Sequence, residues 1–182
     1  MPRCSRGGKN EIRIFARGED TAVSDINKPD LEKKLRDLGF AVPQLPPPMG
    51  LYVPAVRTGS LVFCSGQGPS VEGVLKYVGK LGDTLTLEDG YQAARICALN
   101  CLAEVRSVIG SLNSIRRIVH LRGFVNSATD FFDQPKVVNG ASQLMLDVFG
   151  EAGRHARAAL GTSSLPSNIA VELEMVVEVA EE

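Results

Sequence analysis

The residues best placed to do chemistry lie near the end of the chain, in the run HARAALGTSSLPSNIAVELEMVVEVA that begins at His155. Arg157 precedes a short apolar strand, a Leu165-Pro166 turn follows, and a final strand carries Glu172, Glu174 and Glu178. A planar guanidinium offers two parallel donors to a carboxylate, so Arg157 is suited to fix an acid in one orientation where a lysine supplies only a point charge. Residue type alone does not make either group functional. A surface arginine is usually just solvated, and a glutamate on the polar face of a strand usually meets water.

Other familiar chemistry is missing from the sequence. It has no phosphate-binding glycine loop ending in Lys-Ser/Thr, no G-x-S-x-G elbow and no H-E-x-x-H. Ser65-Gly66-Gln67-Gly68 is glycine-rich but lacks dinucleotide-binding spacing, which suits the end of a strand opening into a turn. Cys4, Cys64, Cys97 and Cys101 lack the paired short spacings of a zinc site, and His120 and His155 stand far from them in sequence. No metal is expected. Cys97 and Cys101 fall four apart in a helical stretch and read as small apolar residues sharing a buried face.

The bulk properties narrow the partners. A chain of 182 residues with 44% hydrophobic content suits one core plus an appendage. Twenty basic against twenty-one acidic side chains leave a formal charge of -1, so no overall field gathers phosphates, and neither nucleic acid nor an anionic membrane is expected. No apolar run approaches the ~20 residues of a membrane span. The opening MPRCSRGGKNEIRIFAR carries five basic residues and one acidic one, a pattern shared by transit peptides and solvated extensions. The cytoplasm is the expected compartment, with the mitochondrion as the alternative.

The elements that must position Arg157 are legible from period and punctuation. The first 23 residues hold no sustained period beyond the short alternation around Ile12 and Ile14. Pro29 suits the first turn of a helix, Leu31, Leu35 and Leu38 recur on one face, and Gly39 sits where the helix would stop. The run LPPPMG at 45–50 then marks a boundary, making residues 1–49 an extension with one short helix and a proline-rich linker, and 50–182 the main domain. LYVPAV and LVFCS flank a turn at 57–60 and read as a hairpin, which a weaker strand at 74–78 would continue. Thr86 and Asp89 open a helix that runs to Gly110. A β-rich run over 115–125 follows, then a helix over 134–149 capped by Asp133, with Val138, Ala141, Leu144, Met145 and Val148 inward. In the last strand Val171, Leu173, Met175, Val177 and Val179 alternate with the glutamates. This order predicts an α+β fold: a mixed β-sheet covered on one face by two helices, the other face meeting solvent or another subunit.

The ordered series Tyr52, Ser65-Gly66-Gln67, Gly123-Phe124-Val125, Asn139, Arg157, Leu165-Pro166 and Val171-Glu172-Leu173-Glu174 resembles the Rid (YjgF-type) superfamily over roughly residues 50 to 180. The runs YVPAVRTG, SGQGP, GYQAARICALN, GFVNSATDF, QPKVVNGAS and VFGEAGRHAR are similar to one of its less characterised branches, often labelled the endoribonuclease L-PSP family. The resemblance implies a homotrimer with a ligand cleft between neighbouring subunits, and a cofactor-free enzyme that hydrolyses reactive 2-imino or 2-enamino acids. It implies that Arg157 holds the substrate carboxylate and that Glu172 activates water. It also implies that Tyr52 from the adjacent subunit, Asn139 and the Ser65-Gly66 backbone shape the cleft. Ala159 stands where the archetypes often have cysteine, so no thiol chemistry carries over, and extra residues around 133–136 would reshape the cleft wall. The N-terminal helix is expected beside a subunit boundary or over the cleft entrance.

Two other functions compete with the deaminase. A trimeric binding or regulatory protein would use the same arginine to capture a small carboxylate without turnover. An endoribonuclease is disfavoured by near-zero net charge, the lack of tryptophan and the expectation that no histidine stands close to Arg157.

Overall fold

The computed structural model describes residues 30–44 and 50–181, so the expectations for Ile12, Ile14, Pro29 and the proline run at 45–49 lie outside the described residues. In chain order the elements are α1 (Leu31–Asp37), β1 (Ala55–Thr58), β2 (Leu61–Gln67), β3 (Ser70–Val71), β4 (Val74–Leu75), α2 (Leu87–Ile109), β5 (Ile115–Asn126), α3 (Gln134–Phe149), β6 (Ala156–Thr162) and β7 (Val171–Val179). The terminal strand organises the sheet. Its five alternate apolar residues, from Val171 to Val179, are buried, as the alternation requires, and β7 lies at the centre of the order β1-β2-β7-β5-β6. Neighbours are antiparallel except β5 and β6, which run parallel and are linked by α3.

Both long helices begin and end where the sequence punctuates them. Thr86 and Asp89 form a reciprocal capping box, with Asp89 N donating to Thr86 Oγ1 at 3.2 Å and Thr86 N donating to Asp89 Oδ2 at 2.8 Å. Gly110 closes α2 at φ 79°. Asp133 occupies the N-cap position of α3 but makes no side-chain cap. Its carboxylate instead pairs with Lys136 at 3.0 Å, while its carbonyl accepts from Val137 N at 3.1 Å. α3 is held closely on two sides. A side chain at Gly140 would collide with the Tyr91 carbonyl of α2, and one at Gly123 would strike Val138. Cys97 and Cys101 are buried free thiols of α2 that lie against the Val171 and Leu173 carbonyls of β7.

The layer over the sheet contains three helices. The α+β class and mixed sheet are as expected, but the short N-terminal helix joins the cover and is not a loose appendage. Leu35 is fully buried and Leu31 nearly so in the common core, and Leu31 N donates to Asn113 Oδ1 at 2.9 Å. The helix stops in a Schellman turn, with Gly39 N donating to Arg36 O and Phe40 N to Leu35 O, both at 2.9 Å, and Gly39 at φ 82°. Phe40 then sits under the Arg95 guanidinium at 4.8 Å. Leu38 does not share the buried stripe, being 42% exposed, because the helix ends at that residue.

Two strand expectations need correction. β1 starts only at Ala55, since Pro54 cannot donate to a ladder, and the hairpin turn tightens to Gly59 and Ser60. The predicted strand at 74–78 does not extend the meander. Val74 and Leu75 pair with Ser70 and Val71 in a separate two-stranded ribbon. The helix-free face of the main sheet carries a row in register, Val56, Phe63, Val176 and His120, with Val56 and Phe63 about half exposed.

If α1 is part of the cooperative core, Leu35→Ala should destabilise the whole domain by about 2–5 kcal/mol, the usual cost of such a cavity. Urea unfolding followed by circular dichroism checks this, and an unchanged midpoint would make α1 a dispensable appendage.

Candidate functional site

Arg157 lies on β6, the edge strand, paired with Leu121 of β5, and its side chain runs along the helical side of the sheet to the flank of α3. Its Nη1 donates to Asn139 Oδ1 at 2.8 Å and to Ser142 Oγ at 3.0 Å. These acceptors stand three residues apart on α3, so they project from one flank of the helix. Both protons of Nη1 are thereby committed. Among the described residues Nε and Nη2 make no hydrogen bond, which leaves the Nε–Nη2 edge to receive the two oxygens of a carboxylate.

A histidine joins this cluster, against the expectation that none stands close to Arg157. His155 Nδ1 lies 2.6 Å from the Gly153 carbonyl and Nε2 lies 3.0 Å from Ser142 Oγ. A carbonyl only accepts, so Nδ1 carries the proton, and Nε2 of the neutral ring must accept the Ser142 hydroxyl proton. Burial pushes the His155 pKa down; the Gly153 hydrogen bond opposes this, and the Arg157 and His120 charges add to it. The neutral ring is thus the favoured form. A cavity of about 240 Å³ lined by Ser142, Leu146, Arg154, His155 and Arg157 adjoins the cluster. The signal for His155 was present in the sequence, because residues two apart at a strand start point the same way.

The remaining candidates form a second group. Glu172 sits on β7 opposite Phe124, on the face away from the helices, and its carboxylate lies against Gly66 so closely that any side chain there would collide with Oε1. Gly66 is therefore a seat for the carboxylate. Ser65 Oγ donates to the Val53 carbonyl at 3.0 Å and Ser65 N to the Pro54 carbonyl at 2.8 Å. These bonds tie down the segment that carries the half-exposed Tyr52. Burial raises the Glu172 pKa, with the neighbouring Glu174 charge second, while Glu174 itself pairs with Arg122 at 3.1 Å.

One chain does not bring the two groups together. β2 and β6 are separated by β7 and β5, about 14 Å across three strand spacings, and Arg157 and Glu172 point to opposite faces of the sheet. Asn139 joins Arg157, whereas Gly66 meets Glu172 and the adjacent Ser65 is bonded to the segment that carries Tyr52.

Comparison with known proteins bears on both groups. Residues 32–179 match the family model described as YjgF/chorismate mutase-like, to which a provisional endoribonuclease assignment is attached. The chain is 42% identical over 145 residues to Protein TCP17 of Trypanosoma cruzi, covering 79% of this chain and 91% of that protein. It resembles the crystal structure of Atu1372 from Agrobacterium tumefaciens, of unknown function, with a TM-score of 0.77 at 41% identity over 83% of this chain and 94% of that one. A protein of Shewanella oneidensis, provisionally termed an endoribonuclease, superposes with a TM-score of 0.80 at 34% identity over 83% of this chain and all of that one, 100%. The matched region takes in α1 from its second residue onward, consistent with the burial of Leu35.

A carboxyl whose native pKa lies above its ordinary value of 4.5 binds its proton more readily folded than unfolded. Its contribution to stability is therefore present below the ordinary value and lost as pH rises through the raised one. Glu172→Gln cannot ionise, so it should be more stable than the native chain at neutral pH, and the difference should shrink as pH falls from the raised pKa to the ordinary one. Urea melts at several pH values check this; a variant less stable at neutral pH would mean that Glu172 has a stabilising partner.

Proposed function

We propose that this chain, which belongs to the YjgF/chorismate mutase-like family, hydrolyses 2-imino or 2-enamino acids to 2-oxo acids and ammonia in clefts between copies of a homotrimer. The observation that carries the reading is the state of the Arg157 guanidinium. With both Nη1 protons bound by Asn139 and Ser142, the group is fixed in orientation and presents its Nε–Nη2 edge to an acid. A 2-imino acid held by its carboxylate there has its C=N carbon bonded directly to the clamped carboxylate.

Glu172 supplies the complementary group. Its raised pKa and its seat against Gly66 suit a carboxyl that takes a proton from attacking water and returns it to nitrogen. Water adds to the imine carbon and one of its protons passes through Glu172 to the nitrogen, giving a carbinolamine, whose hydroxyl proton is then transferred to the nitrogen as it collapses. The C–N bond breaks, ammonia leaves and a C=O bond remains. An enamino acid first takes a proton on carbon to become the same imine. The electron demand is met within the C=N bond, so no cofactor takes part.

Because Arg157 and Glu172 face opposite sides of one sheet, a shared cleft draws them from neighbouring copies. The half-exposed Val56 and Phe63, in register with the partly buried Val176, favour association through the helix-free face. Near-zero net charge continues to speak against an RNA groove, although the argument from the missing histidine falls with His155.

Two measurements test the proposal. Release of 2-oxo acid from imines made in situ by an amino-acid oxidase should be accelerated by the native protein, and Arg157→Ala should lower kcat/KM about 10- to 100-fold, the worth of charge-assisted hydrogen bonds to the carboxylate. Folded native protein that is inactive on every imine, while still binding 2-oxo acids, would make it a carboxylate-binding protein. For the shared cleft, Arg157→Ala and Glu172→Gln chains, each impaired alone, should regain part of the lost activity when unfolded and refolded together, since some interfaces then pair an intact Arg157 with an intact Glu172. No recovery in mixed oligomers would place both groups in one subunit.

A further inference from the structure

The relay that ends on Arg157 begins on the backbone. Gly153 lies so close to α3 that any side chain there would collide with the Met145 carbonyl, which fixes the short turn at Gly150–Gly153 against the helix. Its carbonyl accepts from His155 Nδ1 at 2.6 Å, and this sets the ring tautomer. His155 Nε2 then accepts the Ser142 hydroxyl proton at 3.0 Å, which turns the lone pairs of Oγ toward the guanidinium, and Oγ accepts from Arg157 Nη1 at 3.0 Å. The carbonyl at one end and the guanidinium at the other fix the two terminal bonds, and the neutral imidazole that burial favours fixes the Ser142–His155 bond between them.

We propose that His155 and Ser142 are positioning residues, which hold the Arg157 guanidinium so that its Nε–Nη2 edge stays turned to the ligand carboxylate. Asn139 by itself anchors one proton of Nη1, which leaves the guanidinium plane free to swing about that single bond. Ser142 supplies the second anchor, and His155 prevents the Ser142 hydroxyl proton from facing the cation. The effect on carboxylate ligands rests on the reading of Arg157 given above; the effect on Arg157 itself does not.

The decisive experiment reads the guanidinium in the ligand-free, full-length protein. In ¹⁵N-arginine-labelled samples the Arg157 Nε–H signal is assigned by its loss in Arg157→Lys, and rotation about the Nε–Cζ bond is measured by NMR exchange. His155→Ala and Ser142→Ala should each speed that rotation several-fold. The double variant should be no faster than either alone, because both remove one relay. His155→Gln, which retains an acceptor close to the Nε2 position, should restore slow rotation. Unchanged rotation in His155→Ala, or additive effects in the double variant, would overturn the proposal whatever the protein does with imines.

Calorimetric titration with 2-oxobutanoate supplies the second arm. His155→Ala should weaken its binding about 5- to 30-fold and His155→Gln much less, a part of what hydrogen bonds to a charged group are worth. A native protein that binds no 2-oxobutanoate would count against the carboxylate reading and leave the rotation measurement to decide the relay.

Discussion

The close approach of α3 to its neighbours is the constraint on which the candidate site depends. At Gly140 the helix meets the α2 backbone, at Gly123 the sheet leaves room for Val138, and at Gly153 the following turn folds back onto the helix. Each contact tolerates no added carbon without a shift, so α3 has little freedom to slide or rotate. Asn139 and Ser142 inherit that rigidity. They pass it to Arg157, which rises from an edge strand and, among the described residues, has no strand neighbour on its outer side. A guanidinium at a sheet edge would ordinarily sample many rotamers, and here its position is set by a helix.

Electrostatics divides the molecule along the same line. On the helical side, half-buried His155 prefers its neutral form, so the charge at that pocket comes from Arg157 and from Arg154, which is paired with Glu151. On the open side, partial burial and the nearby Glu174 push Glu172 toward its protonated form, while Arg122 relieves Glu174. The two charged groups of the proposed site therefore stand on opposite faces of one set of strands. In the proposed shared cleft each copy would give one group and receive the other.

Much of the scaffold was legible from local signals. The capping box at Thr86 and Asp89, the stop at Gly110, the bounds of α3 and the alternation of β7 all rest on contacts within a few residues, so the sequence carries them directly. Errors gathered where a competing partner, near or distant in sequence, decided the outcome. The segment at 74–78 had strand character, but whether it joined the main sheet depended on the ribbon it made with Ser70 and Val71. The leucine stripe of α1 was visible; that it would dock into the common core, with Leu38 left outside, was not. Asp133 had the right type for a cap, but Lys136 offered its carboxylate a competing partner.

For the site, the residue types and their order along the chain marked Arg157, Asn139, Glu172, Ser65, Gly66 and Tyr52 as candidates, because those properties survive without coordinates. The pairing of Arg157 with Asn139, the addition of Ser142 and His155, and the seat of Glu172 on Gly66 were decided by tertiary structure alone. Strand parity already placed His155 beside Arg157 in the sequence, but the direction of its two hydrogen bonds depended on where Gly153 and α3 meet. The partition of the candidates between two faces also had to await the sheet order, since β2 and β6 are distant only because β7 and β5 insert between them. Local periodicity determines which way each side chain points from its own strand, and only the assembled sheet determines what stands opposite.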